Sequence, residues 1–139
     1  MIYERKINYY ETDAMKIVHH SNYIRYMEEA RTDALSKIGL PYGKIEEEGV
    51  LIPVLNVSCQ YKHPARYEDI ILIKLRAKEY TGIKLVMEYE ITNKETGDLV
   101  LVGETKHCFT DVALRPISLK KAKPEMHEIF LKLQEASNS

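Results

Sequence analysis

Ionisable side chains crowd into one stretch of the chain, ETDAMKIVHHSNY at residues 11–23. The stretch combines the carboxylates of Glu11 and Asp13 with the adjacent imidazoles of His19 and His20. A carboxylate can act as a general base or as a nucleophile, and an imidazole can donate a hydrogen bond. We therefore expect any chemistry of this chain to centre on these residues.

Two other roles are open to the same side chains. An aspartate just before a helix is commonly a turn or capping residue, and Asp13 could be only that. Asp13, His19 and His20 also have the ligand types of a metal site, but their spacing matches no standard motif, so no metal and no other cofactor is expected. Because the side chains of adjacent residues point in different directions in most conformations, we expect one histidine, His19, to be structural.

The composition fits one ordinary globular domain over residues 1–139. Of the residues, 45% are hydrophobic and 29% are charged, and a chain of this length can bury a sizeable core. The formal net charge is -1, from 20 Lys and Arg against 21 Asp and Glu. Such a chain lacks the basic field that drives non-specific nucleic-acid binding, so nucleic acid is not an expected partner.

The two cysteines and the N-terminus indicate the compartment. Cys59 and Cys108 each lie in a strand-like run and neither belongs to a CxxC pair, which predicts free buried thiols rather than disulfides or a zinc site. The opening residues MIYERKINYY carry charges where a signal peptide needs an apolar run. No segment approaches the roughly 18 apolar residues of a membrane span. We expect a reduced, cytoplasmic compartment and no membrane partner.

The motif lies between a predicted strand and a predicted helix. Residues 2–10 are rich in Tyr and Ile, which favours a strand. From Ser21 to about Ile38, apolar or small residues recur at steps of three and four, as one face of a helix requires. Gly39 supplies the helix stop, and Ser21 and Asn22 are the candidate N-caps.

From residue 50 onward the hydrophobic period changes to two, which predicts strands. Four consecutive antiparallel strands are expected, at residues 51–61, 71–77, 83–91 and 99–110, with the turn sequence NKETGD between the last two. Short helical segments are predicted at residues 41–49 and 125–135, and the last four residues, ASNS, are expected to be disordered.

One long helix with five strands predicts an α+β fold whose antiparallel sheet wraps around that central helix. A single helix cannot cover all the faces and edges of such long strands. We therefore expect a homo-oligomer that joins sheets edge to edge, with a dimer as the minimum and a homotetramer as the larger alternative.

The motif resembles the opening of the hotdog-fold acyl-CoA thioesterases of the 4-hydroxybenzoyl-CoA thioesterase type. Their pattern is a Tyr and an Asp, a small turn, and Val-x-His-x-x-Tyr leading into a helix. The matching residues here are Tyr9, Thr12, Asp13, Val18, His20, Asn22, Tyr23, Glu29, Ala30 and Arg31. The resemblance extends along the whole chain and includes Pro64-Ala65-Arg66-Tyr67 between two strands. One departure is Lys16, where the family usually has glycine, which adopts a positive φ freely.

The resemblance implies a hotdog fold and an enzyme that hydrolyses acyl-CoA thioesters to a carboxylic acid and free coenzyme A. Asp13 would be the general base on water, or the nucleophile that forms a mixed anhydride, and His20 would donate a hydrogen bond or orient the thioester. Backbone N–H groups at the start of the helix would polarise the carbonyl. The chain has no Gly-x-Ser-x-Gly elbow, which agrees with a carboxylate mechanism. The implied substrate-binding residues are Tyr9, Val18, Asn22, Tyr23, Pro64 and Tyr67.

Alternatives stay open within this fold. The chain could bind acyl-CoA without hydrolysing it, or act on acyl groups carried by an acyl carrier protein. Glu28 is a rival carboxylate, because other hotdog enzymes take theirs from the central helix, although Glu28 and Glu29 are expected on a solvated or subunit-facing side. Lys62, Arg66 and the run from Lys120 to Lys123 are candidate contacts for the phosphates of coenzyme A, or simply a solvated surface.

Overall fold

A computed structural model describes residues 1–138 of the chain. Its antiparallel sheet has five strands in the order β1-β3-β4-β5-β2, so that β1 and β2 are the edges. The strands are β1 (Ile2–Lys6), β2 (Val54–Tyr61), β3 (Ile70–Tyr80), β4 (Lys84–Asn93) and β5 (Leu99–Cys108). The helices are α1 (Ser21–Lys37), α2 (Tyr42–Glu47), α3 (Leu119–Ala122) and α4 (Pro124–Ser137). The predicted α+β fold with one long helix on an antiparallel sheet is confirmed.

The long helix α1 packs closely on the sheet because its apolar face meets a glycine. Tyr23, Met27 and Ala30 recur along one face of α1, and each is at most 4% exposed. Opposite them, Gly103 of β5 leaves space for the helix, since a Cβ at that position would lie 2.7 Å from Met27 Sδ. The second turn of α1, which carries Met27, therefore packs closely on β5.

The C-terminal helix α4 covers the part of β3 that β1 leaves open. β1 pairs with β3 only as far as Lys74. Beyond that point Ser137 Oγ of α4 accepts the Ala77 N–H at 2.9 Å. The rings of Tyr80 and Phe130 stack with their centroids 5.2 Å apart, so α4 closes this edge of the sheet with both polar and apolar contacts.

The prediction of a first strand over residues 2–10 is wrong at its C-terminal end. The strand stops at Lys6, and Tyr9–Glu11 form a short 3-10 turn. The Glu11 carboxylate accepts the N–H of Asn8 at 2.8 Å, which turns the chain where periodicity indicated an extended backbone.

Other boundaries differ in smaller ways. The strand predicted from residue 51 begins at Val54, although Leu51 keeps an isolated bridge to Thr110. Residues 136 and 137, expected to be disordered, lie in α4; residue 139 lies outside the described residues. Cys59 and Cys108 are free, as predicted, but only partly buried. None of the helices within residues 1–138 has the length and apolar character needed to cross a membrane.

Candidate active site

Asp13 opens a tight loop that returns to its starting point before α1. Thr12 and Val18 form an antiparallel bridge at the base of the loop. Inside it, the Asp13 N–H donates to the Ile17 carbonyl at 2.8 Å, and the Lys16 N–H donates to the Asp13 carbonyl at 2.9 Å. Two hydrogen bonds inside the loop therefore fix the backbone of Asp13 next to the start of the helix.

Lys16 adopts the conformation that the family's glycine would adopt. Its φ is 65°, in the left-handed region. An L-residue with a side chain is disfavoured there by about 1–2 kcal/mol. With lysine in place of glycine the turn around Asp13 still forms, but its backbone is strained at Lys16.

The carboxylate of Asp13 is partly engaged. Oδ1 accepts the Met15 N–H at 2.8 Å, as in an ordinary aspartate turn. Oδ2 has no hydrogen-bond partner among residues 1–138, and the residue is half-buried. Asp13 thus serves as a turn residue and still presents one free carboxylate oxygen, so the two roles predicted for it are compatible.

Asp13 lines a cleft of about 350 Å³ between the loop, the start of α1 and the end of β2. Five predicted site residues meet there: Asp13, Val18, His20, Tyr23 and Pro64. Most of the other lining is apolar. A cleft of this kind can hold an apolar group beside a carboxylate, an imidazole and the backbone of a helix start.

Three predicted substrate-binding residues do not line the cleft. Tyr9 and Tyr67 instead contact each other edge to face, 5.6 Å between ring centroids, and both are exposed. Asn22 is 8% exposed, and its Nδ2 donates to the Glu11 carbonyl at 2.8 Å. Asn22 therefore holds the protein backbone together, and its amide is committed to that bond.

The lining includes residues that sequence reasoning did not assign to the pocket: Met15, Ile17, Tyr61 and His63, together with Lys62, named only as a possible phosphate contact. Met15 and Ile17 lie inside the motif and could have been found from their position beside Asp13. Tyr61, Lys62 and His63 come from the end of β2. No local signal places that strand end against the first turn of α1.

The two histidines stack on each other, with ring centroids 4.3 Å apart. The expectation that their side chains point in different directions is wrong. His19 Nδ1 accepts the Ser21 N–H at 3.2 Å, so His19 satisfies the helix start, a role predicted for Ser21 or Asn22. The structural assignment of His19 is consistent with this contact, and His20 faces the cleft.

The start of α1 retains backbone donors. The Asn22 N–H is taken by the His19 carbonyl at 2.9 Å, but the Tyr23 N–H reaches the His20 carbonyl only at 3.4 Å. The His20 N–H has no acceptor within the described residues. Amides at a helix start favour negative charge nearby, so those of His20 and Tyr23 can polarise a carbonyl oxygen.

Burial raises the pKa of two weakly acidic side chains, Tyr23 in the cleft and Cys59 on β2. For Cys59, burial raises the pKa against a smaller lowering by its hydrogen bond with Tyr61. A thiol with a raised pKa is a poor nucleophile, so the electrostatics around Cys59 agree with a carboxylate as the reactive group.

The other candidates from the sequence lie away from the cleft. Glu28 is exposed on α1, while Glu29 accepts hydrogen bonds from Tyr3 and Arg5 at 2.9 Å each. The cleft lining does not include Arg66 or the lysines of residues 120–123. In the described part of the chain no three His, Cys, Asp or Glu side chains are arranged to hold a metal ion, and Asp13, His19 and His20 do not form such a group.

The chain is similar to known proteins over most of its length. Residues 7–133 match the model of the thioesterase-like superfamily. The chain is 40% identical over 107 residues to a putative esterase of Aquifex aeolicus, covering 77% of this chain and 82% of that protein. It is 35% identical over 130 residues to YneP of Bacillus subtilis, named a putative acyl-CoA thioesterase, covering 93% and 94%. The crystal structure of the DHNA-CoA thioesterase of Staphylococcus aureus superposes with a TM-score of 0.91 at 33% identity, covering 99% of this chain and 92% of that one.

Proposed function

The chain belongs to the thioesterase-like superfamily and is a thioester hydrolase, and we propose that it hydrolyses acyl-CoA with Asp13 as the essential carboxylate. The observation that carries the proposal is the half-engaged Asp13 carboxylate, whose Oδ1 is held by the Met15 N–H at 2.8 Å. The held oxygen fixes the direction of the side chain. The other oxygen is available to a water molecule or to the thioester carbon.

The start of α1 would stabilise the charge that develops on the thioester oxygen. The amides of His20 and Tyr23 have no strong competing acceptor, and removing one such donor typically costs about 3 kcal/mol of transition-state stabilisation. His20 also lines the cleft, and its imidazole would donate to the substrate or orient it. The Tyr23 phenol is neutral near pH 7, since burial raises its pKa further above that range, so it adds no charge beside an apolar acyl group.

The acyl group would lie against the apolar lining, with Val18, Tyr23 and Pro64 among its contacts. The Staphylococcus aureus relative is named a DHNA-CoA thioesterase, so aromatic acyl-CoAs are included among the candidate substrates. The finer placement with enzymes of the 4-hydroxybenzoyl-CoA type is supported by the spacing of Asp13 and His20.

The proposed active form is a homo-oligomer, a dimer or a homotetramer. β2 is an edge strand, and Val54 and Leu55 on it are 47% and 62% exposed. A long exposed apolar edge is a surface that pairs with a second chain. Tyr9, Asn22 and Tyr67 keep their proposed substrate-binding role only if a partner subunit or the substrate reorders this region. The two free thiols support a reducing compartment such as the cytoplasm.

The test is release of free thiol from short-chain, medium-chain, long-chain and aromatic acyl-CoAs by wild type and Asp13→Asn. The asparagine keeps an oxygen for the Met15 N–H but cannot act as base or nucleophile, so kcat should fall by about 10²-fold or more. Asp111→Asn is the matched control, because Asp111 Oδ1 accepts the N–H of Ala113 at 2.9 Å in the same kind of turn away from the cleft.

Each outcome is decisive for the assignment. Equal turnover by Asp13→Asn and wild type would remove Asp13 from the reaction. Turnover of acylated carrier protein but of no acyl-CoA would move the substrate to the carrier. Label from heavy-oxygen water that enters Asp13 during turnover would select the anhydride route over general base catalysis.

A further inference from the structure

The base of the Asp13 loop is held by a set of charged side chains that the proposed reaction does not use. Arg5 of β1 donates through Nη1 and Nη2 to the two carboxylate oxygens of Glu11 at 2.7 and 2.6 Å. Its Nε donates to Glu29 of α1 at 2.9 Å, and its guanidinium carbon lies 4.9 Å from the centre of the Tyr26 ring. We call Arg5, Glu11 and Glu29 the Arg5 cluster.

Glu11 connects the Arg5 cluster to both ends of the loop. Its carboxylate accepts the Asn8 N–H at 2.8 Å, before the loop. Its backbone carbonyl accepts the His19 N–H at 2.9 Å and Asn22 Nδ2 at 2.8 Å, after the loop and in the first turn of α1. One residue therefore joins β1, the loop and the central helix. Asp13 follows that residue by two positions.

The burial of this ion pair is informative. Glu11 is only 5% exposed, and a buried pair gives little net stability because the loss of hydration offsets the attraction. Bidentate contact between a guanidinium and a carboxylate does, however, fix the relative direction of the two groups. The buried amide of Asn22 is also directed by the protein, because its Nδ2 donates to the Glu11 carbonyl at 2.8 Å. This pattern favours an orienting role over a purely stabilising one.

We infer that Arg5, Glu11 and Asn22 are positioning residues, which hold the Asp13 carboxylate in register with the backbone amides of His20 and Tyr23 at the start of α1. The inference rests on the proposed hydrolysis through Asp13. None of the three lines the cleft, so they act through the backbone of the loop. A displacement of about 1 Å at a reacting group can cost about 10²-fold in rate.

Glu11→Gln tests the inference because it keeps the size of the side chain and removes its charge. The new amide N–H₂ would face the Arg5 guanidinium, donor against donor, and loosen the loop. We expect kcat to fall by about tenfold or more with KM unchanged, since the substrate contacts in the cleft stay in place. Hydrogen exchange of the amides in residues 12–20 should become faster while that of β3 and β4 stays the same.

Two further variants make the test specific. Asn22→Ala removes only the donor to the Glu11 carbonyl, leaves the Arg5 cluster intact and should reproduce both effects, which covers the case of a Glu11→Gln protein that fails to fold. Arg76→Gln is the matched control: it breaks an ion pair with Glu88 at 3.0 Å on the sheet, far from the loop in sequence and contacts. It should change neither kcat nor the exchange of residues 12–20.

Wild-type kcat with unchanged loop exchange in both Glu11→Gln and Asn22→Ala would overturn the inference. So would faster exchange throughout the protein, because that result indicates a general structural role. A wild type that hydrolyses no thioester would refute the proposed function instead. In that case the loop exchange alone decides whether these residues hold the loop, so the two failures are distinguishable.

Discussion

The N–H of Lys16 donates to the carbonyl of Asp13 at 2.9 Å while Lys16 itself is left-handed, with φ of 65°. The turn that carries the candidate carboxylate is therefore maintained by the hydrogen bonds that close it, against the conformational preference of lysine. A pattern match alone would place glycine here. The structure instead has a lysine with an exposed side chain in the left-handed conformation that glycine adopts freely.

Replacing this lysine with glycine should stabilise the protein. Lys16→Gly relieves the left-handed strain, and after the greater freedom of glycine in the unfolded chain we expect the free energy of unfolding to rise by up to about 1 kcal/mol. Urea unfolding measures it. Lys16→Ala is the control, because alanine keeps the strained Cβ and should give no gain. If Ala and Gly stabilise equally, the side chain of Lys16 rather than its backbone is the source of the effect.

Individual residues show how much of the candidate site can be predicted from the sequence. The spacing of Asp13, His20 and Tyr23 is local, and all three line the cleft. The contribution of Tyr61 depends on pairing between β2 and β5, a contact between distant segments that no local pattern encodes. Asn22 has the right type and place for a ligand contact. Its burial against the Glu11 carbonyl becomes visible only once the loop is closed.

The fold shows the same contrast between what a local sequence pattern predicts and what depends on individual tertiary contacts. Regular periodicity located α1 and the four long strands, because burial of one face leaves a repeating signal. The first strand was extended too far because the turn at Tyr9–Glu11 depends on the Glu11 side chain accepting the Asn8 N–H. Interactions of one polar side chain with the backbone leave no periodic signal, and the ends of elements depend on them.

A buried histidine should make the stability depend on acidity. His107 is 1% exposed, and its Nε2 lies 2.8 Å from Thr105 Oγ1. Burial, reinforced by the nearby positive charge of Arg31, lowers the pKa of His107 from 6.5 to about 4. The unfolded chain then binds a proton that the folded chain does not, so stability is present above pH 6.5 and is lost as the pH falls toward 4.

The expected loss is up to about 3 kcal/mol across that interval, at 1.36 kcal/mol per unit of pKa difference. Urea unfolding at a series of pH values measures it. His107→Gln should flatten the curve between pH 6.5 and 4. A wild-type slope in His107→Gln would assign the acid sensitivity to other groups.

The close approach of α1 to β5 should make Gly103 sensitive to substitution. In Gly103→Ala the new Cβ would lie 2.7 Å from Met27 Sδ and 3.3 Å from the Ser58 carbonyl oxygen. Overpacking of this kind costs about 1–3 kcal/mol, and the free energy of unfolding should fall by that amount. The loss should shrink when Met27→Ala is present, since the nearest atom is then absent.

Gly43→Ala is the control for Gly103→Ala. Gly43 lies in α2, and a Cβ there would meet no atom within 4 Å. Alanine favours a helix over glycine, so this substitution should be neutral or stabilising. Equal destabilisation by the two changes, or no coupling between Gly103 and Met27, would contradict the packing argument.

The edge strand β2 should decide the oligomeric state. Val57, Cys59 and Tyr61 occupy alternate positions of β2 on one face, and none of them is buried, while Leu55 beside them is 62% exposed. If two chains pair along β2, Leu55→Lys introduces like charges at the junction and should convert the oligomer to monomers. Val112→Lys is the matched control, because Val112 is 73% exposed in the segment after β5 and should leave the assembly intact.

Sedimentation velocity measures the oligomeric state of both variants. Thiol release should fall when Leu55→Lys dissociates the oligomer, since the cleft opens beside the end of β2. A monomeric wild type would refute the proposed homo-oligomer, and an oligomer unaffected by Leu55→Lys would place the interface elsewhere on the surface.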